Sequence, residues 1–240
     1  MRCFSTFVWL LTTTSLAFPS GDQNQNYYTK TSLRPPSNKR STTPTITGNH
    51  FTKQEFYWLH EKSLTDVNSD GLKETTIALK NLFGKNNIPW VISGGWALIL
   101  YGEPERITPD IDIIVQTTMP NLRNVLETDK RFLIPVENWW RNKLHFHVFF
   151  KTQNKYIDVD IIIAGEQNSA KEVAKISKYI STTHKNAKVS IPVIRPGPLF
   201  VSKVLGLAWM KRCKTSQDVK DITYLLTRHW KYLYRDGYRL

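Results

Sequence analysis

The sequence predicts an α/β fold, α+β in a stricter scheme: a small mixed sheet flanked by helices, with a helical C-terminal part closing over it. Three observations predict it. Short runs rich in β-branched and aromatic residues, at 90–92, 111–115, 144–150, 156–163 and 188–194, read as strands. Between most of them lie stretches whose apolar residues recur at helical spacing. From residue 198 onward the chain reads as helix alone.

The elements follow in order. Residues 1–17 read as a secretory signal peptide: Met1-Arg2, a mostly uncharged apolar run, then Ser15-Leu16-Ala17 with small residues where a signal peptidase reads. The run is too short and too Thr-rich for a membrane span, so no transmembrane segment is expected in the mature chain. A secreted protein is expected, or a cytoplasmic one if the N-terminus is not a true signal. Removal of the leader takes Cys3 and leaves Cys213 alone, so no internal disulfide is expected. Residues 18–50 are Ser, Thr, Asn, Gln and Pro with almost no aliphatic residue, and read as a disordered polar linker.

The body divides into residues 51–195 and a C-terminal helical region, 196–240, packing on them. Residues 51–62 carry apolar side chains at 51, 56, 58 and 59 and predict a helix. Residues 66–71 resemble the start of a calcium loop, but the twelfth position holds Ile77 instead of a bidentate Glu. They read instead as a polar turn before a helix from Leu72 to about Gly84. A strand at 90–92 enters the turn Ser93-Gly94-Gly95, followed by a helix to Tyr101 and a strand at 111–115. Residues 120–127 predict a short helix. The strands at 144–150 and 156–163 pair through the polar turn 151–155. Residues 169–180 predict a helix, 188–194 a strand, and 198–210 and 216–229 the last two helices.

Composition narrows the function. At 240 residues, 40% hydrophobic and 22% charged, the chain is neither disordered nor collagenous nor a multi-span membrane protein. Two cysteines exclude a Cys-rich zinc module. Lys+Arg 33 against Asp+Glu 20 gives a formal charge of +13, which favours an anionic partner: nucleic acid, nucleotide or membrane surface.

The chemistry concentrates in a few residues. Side chains two apart on a strand share a face. Asp110 therefore lies beside Asp112, and Asp158 beside Asp160, while Ile111, Ile113, Val159 and Ile161 turn into a core. Carboxylates gathered on one patch repel unless a cation sits among them. Mg²⁺ is the natural candidate, a hard ion that keeps positions open for phosphate. Ser93-Gly94-Gly95, closing a strand at a helix start, reads as a phosphate cradle. Arg106 lies between cradle and acids and is placed to hold a phosphate oxygen. His145 and His147 share a strand face, but no third zinc ligand stands at motif spacing. Trp139-Trp140, Tyr232 and Tyr234 are candidate base-stacking residues, or simply packing.

In this order the residues resemble the nucleotidyltransferase fold of the DNA polymerase β superfamily, nearest to its minimal stand-alone members, among them abortive-infection toxins and antibiotic-modifying enzymes. The extended pattern G-G-W-A-x₃-Y-G-x₃-R-x-T-x-D-I-D-I covers Gly94, Gly95, Trp96, Ala97, Tyr101, Gly102, Arg106, Thr108, Asp110 and Asp112. The resemblance implies Mg²⁺ (or Mn²⁺) held by Asp110, Asp112 and a third acid. Asp160 is preferred for that place because Ile161-Ile162-Ile163 follow it, with Asp158 on the same face as the alternative. It implies a nucleoside triphosphate such as ATP as donor, bound by Ser93, Gly94, Gly95 and Arg106. Lys203 is implied at its phosphates, with Lys211 or Lys214 helping. Asp218 and Asp221 fit the relatives' Asp-x-x-Asp, or else cap a helix and pair with a cation. The acceptor implied is a hydroxyl of RNA (tRNA in particular), a protein or a small molecule. The other reading is a catalytically inactive member of the fold that binds a partner outside the cell.

Overall fold

A computed structural model describes residues 46, 48–65, 69–136, 145–153, 155–167, 169–209 and 215–235. Outside them lie the expected signal peptide, nearly all of the polar linker, Asp66 and Asn68 of the calcium-like stretch, Trp139, Trp140, Lys211, Cys213 and Lys214.

The first elements are strand β1 (His50–Phe51) and helix α1 (Lys53–Ser63). Thr52 starts the helix with a capping box: Thr52 Oγ1 accepts from the Glu55 backbone N–H at 3.3 Å, and Glu55 Oε2 accepts from the Thr52 N–H at 2.7 Å. Helix α2 (Ser69–Lys85) buries Leu72, Leu79, Leu82 and Phe83 along one stripe. Strand β2 (Trp90–Ser93) runs straight into helix α3 (Gly94–Leu100). Strand β3 (Asp110–Val115), helix α4 (Met119–Glu127) and strand β4 (Phe132–Pro135) follow. Then come β5 (His145–Lys151), β6 (Tyr156–Ile163), a short helix α5 (Val173–Ile176), β7 (Ser177–His184) and β8 (Ala187–Ile194). Helices α6 (Pro196–Trp209) and α7 (Thr215–Arg235) complete the described chain.

The strands form one eight-stranded mixed sheet in the order β1-β4-β5-β6-β3-β2-β8-β7. Its centre is the parallel pair β3–β6, flanked by antiparallel β2 and β5. One apolar core includes Val91, Ile92, Ile111, Ile113, Val159 and Ile161 from these strands, with Leu199, Phe200, Leu225 and Leu233 from α6 and α7. Trp96 is buried in it, and its indole N–H donates to Thr76 Oγ1 at 3.0 Å, so the one polar atom of the ring is satisfied. A second cluster of Phe51, Phe56, Leu59, Leu133 and Phe149 seats α1 against the β4–β5 side of the sheet. Among the described residues no helix is long and apolar enough to cross a membrane.

Two expectations are corrected. The helix expected over 169–180 shrinks to the four residues of α5, and Ser177–His184 is a strand paired antiparallel with β8. Tyr179, Ile180, Thr182 and Thr183 favour that conformation. The hairpin closes through Lys185 and Asn186, both at positive φ (46° and 65°), the geometry of a tight two-residue turn. The other correction concerns residues 50 and 51, expected at a linker's end and a helix's start. They pair in parallel with Ile134 and Pro135 of β4, a four-residue strand too short to stand out in sequence.

Candidate functional site

Strand register builds the site. On parallel β3 and β6, Asp110 stands opposite Asp158 and Asp112 opposite Asp160. Alternation turns all four carboxylates to one face while Ile111, Ile113, Val159 and Ile161, each fully buried, fill the other. Asp110, Asp158 and Asp160 are themselves buried, and Asp112 is half-buried.

Strand β5 adds a cation. His147 pairs in register with Asp160, and its Nδ1 makes an ion pair with Asp160 Oδ1 and lies 3.4 Å from Asp158 Oδ1. His60, from α1, places its own Nδ1 3.0 Å from Asp158 Oδ2. The Phe56 ring stacks on His60 and meets His147 edge-on. Burial pushes the His147 imidazole down, but the charges and hydrogen bonds of Asp160 and Asp158 outweigh it and raise it to about 10. Burial likewise pushes the Asp158 carboxyl up, and the bonds from His147 and His60 prevail, leaving it below the usual carboxylate range.

The β2–α3 turn closes in on the same acids. Ser93 stands opposite Asp112 in the β2–β3 register. Gly94 has φ +60°, and a β-carbon there would lie 1.7 Å from Asp112 Oδ2. On Gly95 it would lie 2.6 Å from an Arg106 guanidinium nitrogen and 2.7 Å from Thr108 Oγ1. Only glycine allows the acid strand to approach the turn this closely. Thr108 Oγ1 donates to Asp110 Oδ1 at 2.6 Å.

A second network links the turn to the C-terminal helices. Arg106 Nε lies 3.1 Å from Asp221 Oδ1, and Lys203 Nζ lies 2.8 Å from Asp221 Oδ2 and 3.5 Å from Asp218 Oδ1. Gln217 donates to Asp221 at 2.9 Å. Asp221 is 1% exposed. The two cations assigned by sequence to phosphates are thus joined through aspartates of α7, as the pairing alternative for Asp221 describes.

The structure brings Ser93, Gly94, Gly95, Asp110, Asp112, Asp158 and Asp160 together. Sequence reading missed His60, and it left His147 without a third ligand because the partners are acids on the neighbouring strand. The side chain of His145 lies outside the described residues. His147, Asp158 and Asp160 each offer a ligand atom within 4.8 Å of the others. Carboxylate oxygens suit Mg²⁺ and Mn²⁺, and an imidazole in the set favours the transition ion of the two.

Residues 76–194 match the aminoglycoside-2''-adenylyltransferase family. A search of curated proteins gives no match. Among solved structures the chain is similar to an antigenic nucleotidyltransferase-like protein from Paracoccidioides brasiliensis, at 18% identity and TM-score 0.49 over 67% of this chain and 77% of that one. It is also similar to the antibiotic-resistance factor ANT(2'')-Ia in solution, at 14% identity and TM-score 0.45, over 69% and 89%. The same factor in complex with adenylyl-2''-tobramycin is 15% identical with TM-score 0.42, over 65% and 87%. The β2 strand, the Gly94-Gly95 turn and all four aspartates fall inside the matched residues, whereas His60, Lys203 and Asp221 fall outside them. Over residues 76–194 the chain is nucleotidyltransferase-like.

Proposed function

We propose that the protein moves a nucleoside monophosphate from a nucleoside triphosphate to a hydroxyl acceptor and releases pyrophosphate. The observation that supports this reading best is the β3–β6 register, which gathers four carboxylates on one face against a glycine turn. Clustered carboxylates make a donor set fit for Mg²⁺ or Mn²⁺. Asp110, Asp112 and Asp160 are the ligands proposed, with Asp158 held by His60 and His147 beside them. The bound cation supplies charge neutralisation at phosphate oxygens.

The chain's own residues do the rest. Ser93, Gly94 and Gly95 orient the triphosphate along the turn. Arg106 and Lys203, fixed by Asp221, present positive charge toward it from the α6–α7 side. The acceptor oxygen bonds to the α-phosphorus as the α–β bridging P–O bond breaks, and pyrophosphate leaves with the electron pair. The hydroxyl proton passes to a carboxylate of the cluster. Positioning and electrostatics carry the rate, because the protein forms no covalent bond itself. An aminoglycoside hydroxyl, as in the matched family's name, is the first acceptor to assay, with RNA and protein hydroxyls after it.

The test is calorimetric titration of ATP, CTP, GTP and UTP with Mg²⁺, with Mn²⁺ and with EDTA, beside Asp110→Ala/Asp112→Ala. Metal-dependent binding that the double variant loses is the expected result. No triphosphate binding by the folded protein would overturn the transfer reading and leave a catalytically inactive binding protein. His147 already balances part of the cluster's charge and favours that second reading.

A further inference from the structure

A second site lies at the other end of α3. Tyr101, Gly102 and Pro104 after α3, with Tyr224, Arg228 and His229 of α7, line a cavity of about 370 Å³. Its walls are aromatic. The His229 ring lies 5.0 Å from Tyr101, 5.4 Å from Tyr224 and 6.1 Å from Tyr232, centroid to centroid. The hydroxyls of Tyr101 and Tyr224 are taken up in the fold, donating to the carbonyls of Ile194 and Tyr101. The edges of His229 are not: both ring nitrogens are buried and lack a hydrogen-bond partner among the described residues. Burial first, and Lys178 second, hold this imidazole below its ordinary pKa, so at neutral pH it offers one donor and one acceptor.

The surface around the cavity is basic. Lys178 Nζ lies 4.4 Å from the Tyr101 ring centre and 4.9 Å from that of Tyr232, and the Arg235 guanidinium lies 5.1 Å from Tyr232. Arg228 and Lys231 are exposed on the same helix. Between residues 173 and 235 the only acids are Asp218 and Asp221, both buried and paired with cations. Among the described residues Glu103 is the carboxylate that acts on Tyr224 at the cavity. Trp230 stands exposed, with Lys231 Nζ 5.7 Å from its ring centre.

We infer that this face binds single-stranded RNA, with one base entering the cavity against Tyr224 and His229 and the backbone tracking Lys178, Arg228 and Lys231. Aromatic rings interleaved with cations are what a single strand requires: rings for base stacking, charge for phosphate. The imidazole edge of His229 gives the base a donor and an acceptor to meet. Helix α3, seven residues and about 10 Å long, separates the cavity from the Gly94 turn, so a strand held here reaches the acids within a few nucleotides. RNA would then be the acceptor class, since it offers a 2′-hydroxyl on every ribose besides the terminal 3′-hydroxyl. That last step rests on the transfer reading; the binding does not.

The test is fluorescence anisotropy of a labelled 12-nucleotide RNA with the full chain in EDTA, over a salt series, so that the metal site plays no part. Wild type and Asp70→Ala, a variant outside both sites, are expected to bind alike, more weakly as salt rises. His229→Ala and Lys178→Glu, each checked for fold by circular dichroism, are expected to bind more weakly, His229→Ala by at least about fivefold, the factor for one lost base–aromatic stack. No binding at low salt, or unchanged binding by both variants, would overturn the inference. So would a base-free polyanion or a mononucleotide that displaces the RNA at matched concentration, or DNA of the same sequence that binds as tightly. Loss of RNA binding with metal-dependent triphosphate binding intact would remove the RNA face alone; the reverse would remove the transfer reading alone.

Discussion

Gly94 and Asp112 interlock: the space a β-carbon on Gly94 would occupy already holds Asp112 Oδ2, 1.7 Å away, and the Gly94 backbone sits at φ +60°. The turn and the acid strand can be this close only while residue 94 lacks a side chain. Gly94→Ala is expected to abolish metal-dependent triphosphate binding and to lower unfolding free energy by ~1–3 kcal/mol. Gly102→Ala separates strain from collision. Gly102 also has positive φ, at +93°, but its added methyl would meet nothing nearer than 3.9 Å. Triphosphate titration of both variants checks the point, and retained binding by Gly94→Ala would refute it.

Asp221 holds Arg106 and Lys203 while 1% exposed. Removing its carboxylate leaves two cations in a poorly hydrated place. Asp221→Ala is expected to lose about 3–5 kcal/mol in urea unfolding. Asp70→Ala, breaking the exposed Asp70–Lys73 pair at 3.7 Å, is expected to leave the urea midpoint where it was. Equal midpoints for the two variants would contradict the network.

His147 makes the metal-free protein sensitive to alkali. Its pKa rises on folding to about 10, so its contribution to stability is full below the unfolded value of about 6.5 and is lost as pH rises through about 10. In EDTA, the imidazole is expected to be doubly protonated at pH 8 by nitrogen-15 NMR, and thermal stability is expected to fall between pH 8 and 10.5. His147→Asn should flatten that fall. A neutral His147 ring at pH 8 would mean the two aspartates do not hold it as drawn.

His229 works in the opposite sense. Burial, then Lys178, lowers its pKa, so its contribution is present above the unfolded value of about 6.5 and is lost as pH falls through the lower folded value. Acidification from pH 7 toward 5 is expected to destabilise the wild type more than His229→Phe. Parallel melting-temperature curves for the two proteins over that range would count against a neutral, buried ring.

Much of the site was legible because it depends on local rules. Alternation on two strands is enough to put Asp110 beside Asp112 and Asp158 beside Asp160, and the apolar residues between them mark the buried face. The pairing of the two strands is not local: nothing between residues 115 and 156 states that β3 and β6 are parallel neighbours. His147 was visible as a strand histidine, but its partners come from that unread register. His60 was invisible, a polar residue on a helix whose amphipathic pattern already explained it. The 169–180 helix failed for a related reason. Val173 and Ile176 have helical spacing, and the β-branched run after them competes only because β8 is there to pair with.

Helix α1 and strand β1 precede the family-matched residues 76–194, yet Phe56 and His60 cover Asp158 and steady His147. The matched stretch alone therefore lacks part of the site. Cut to those limits, a fragment would keep every aspartate but expose Asp158 and Phe149 to water and leave Asp158 with one histidine in place of two. The same carboxylates would be present with a different charge balance. The site is larger than the stretch that matches the family.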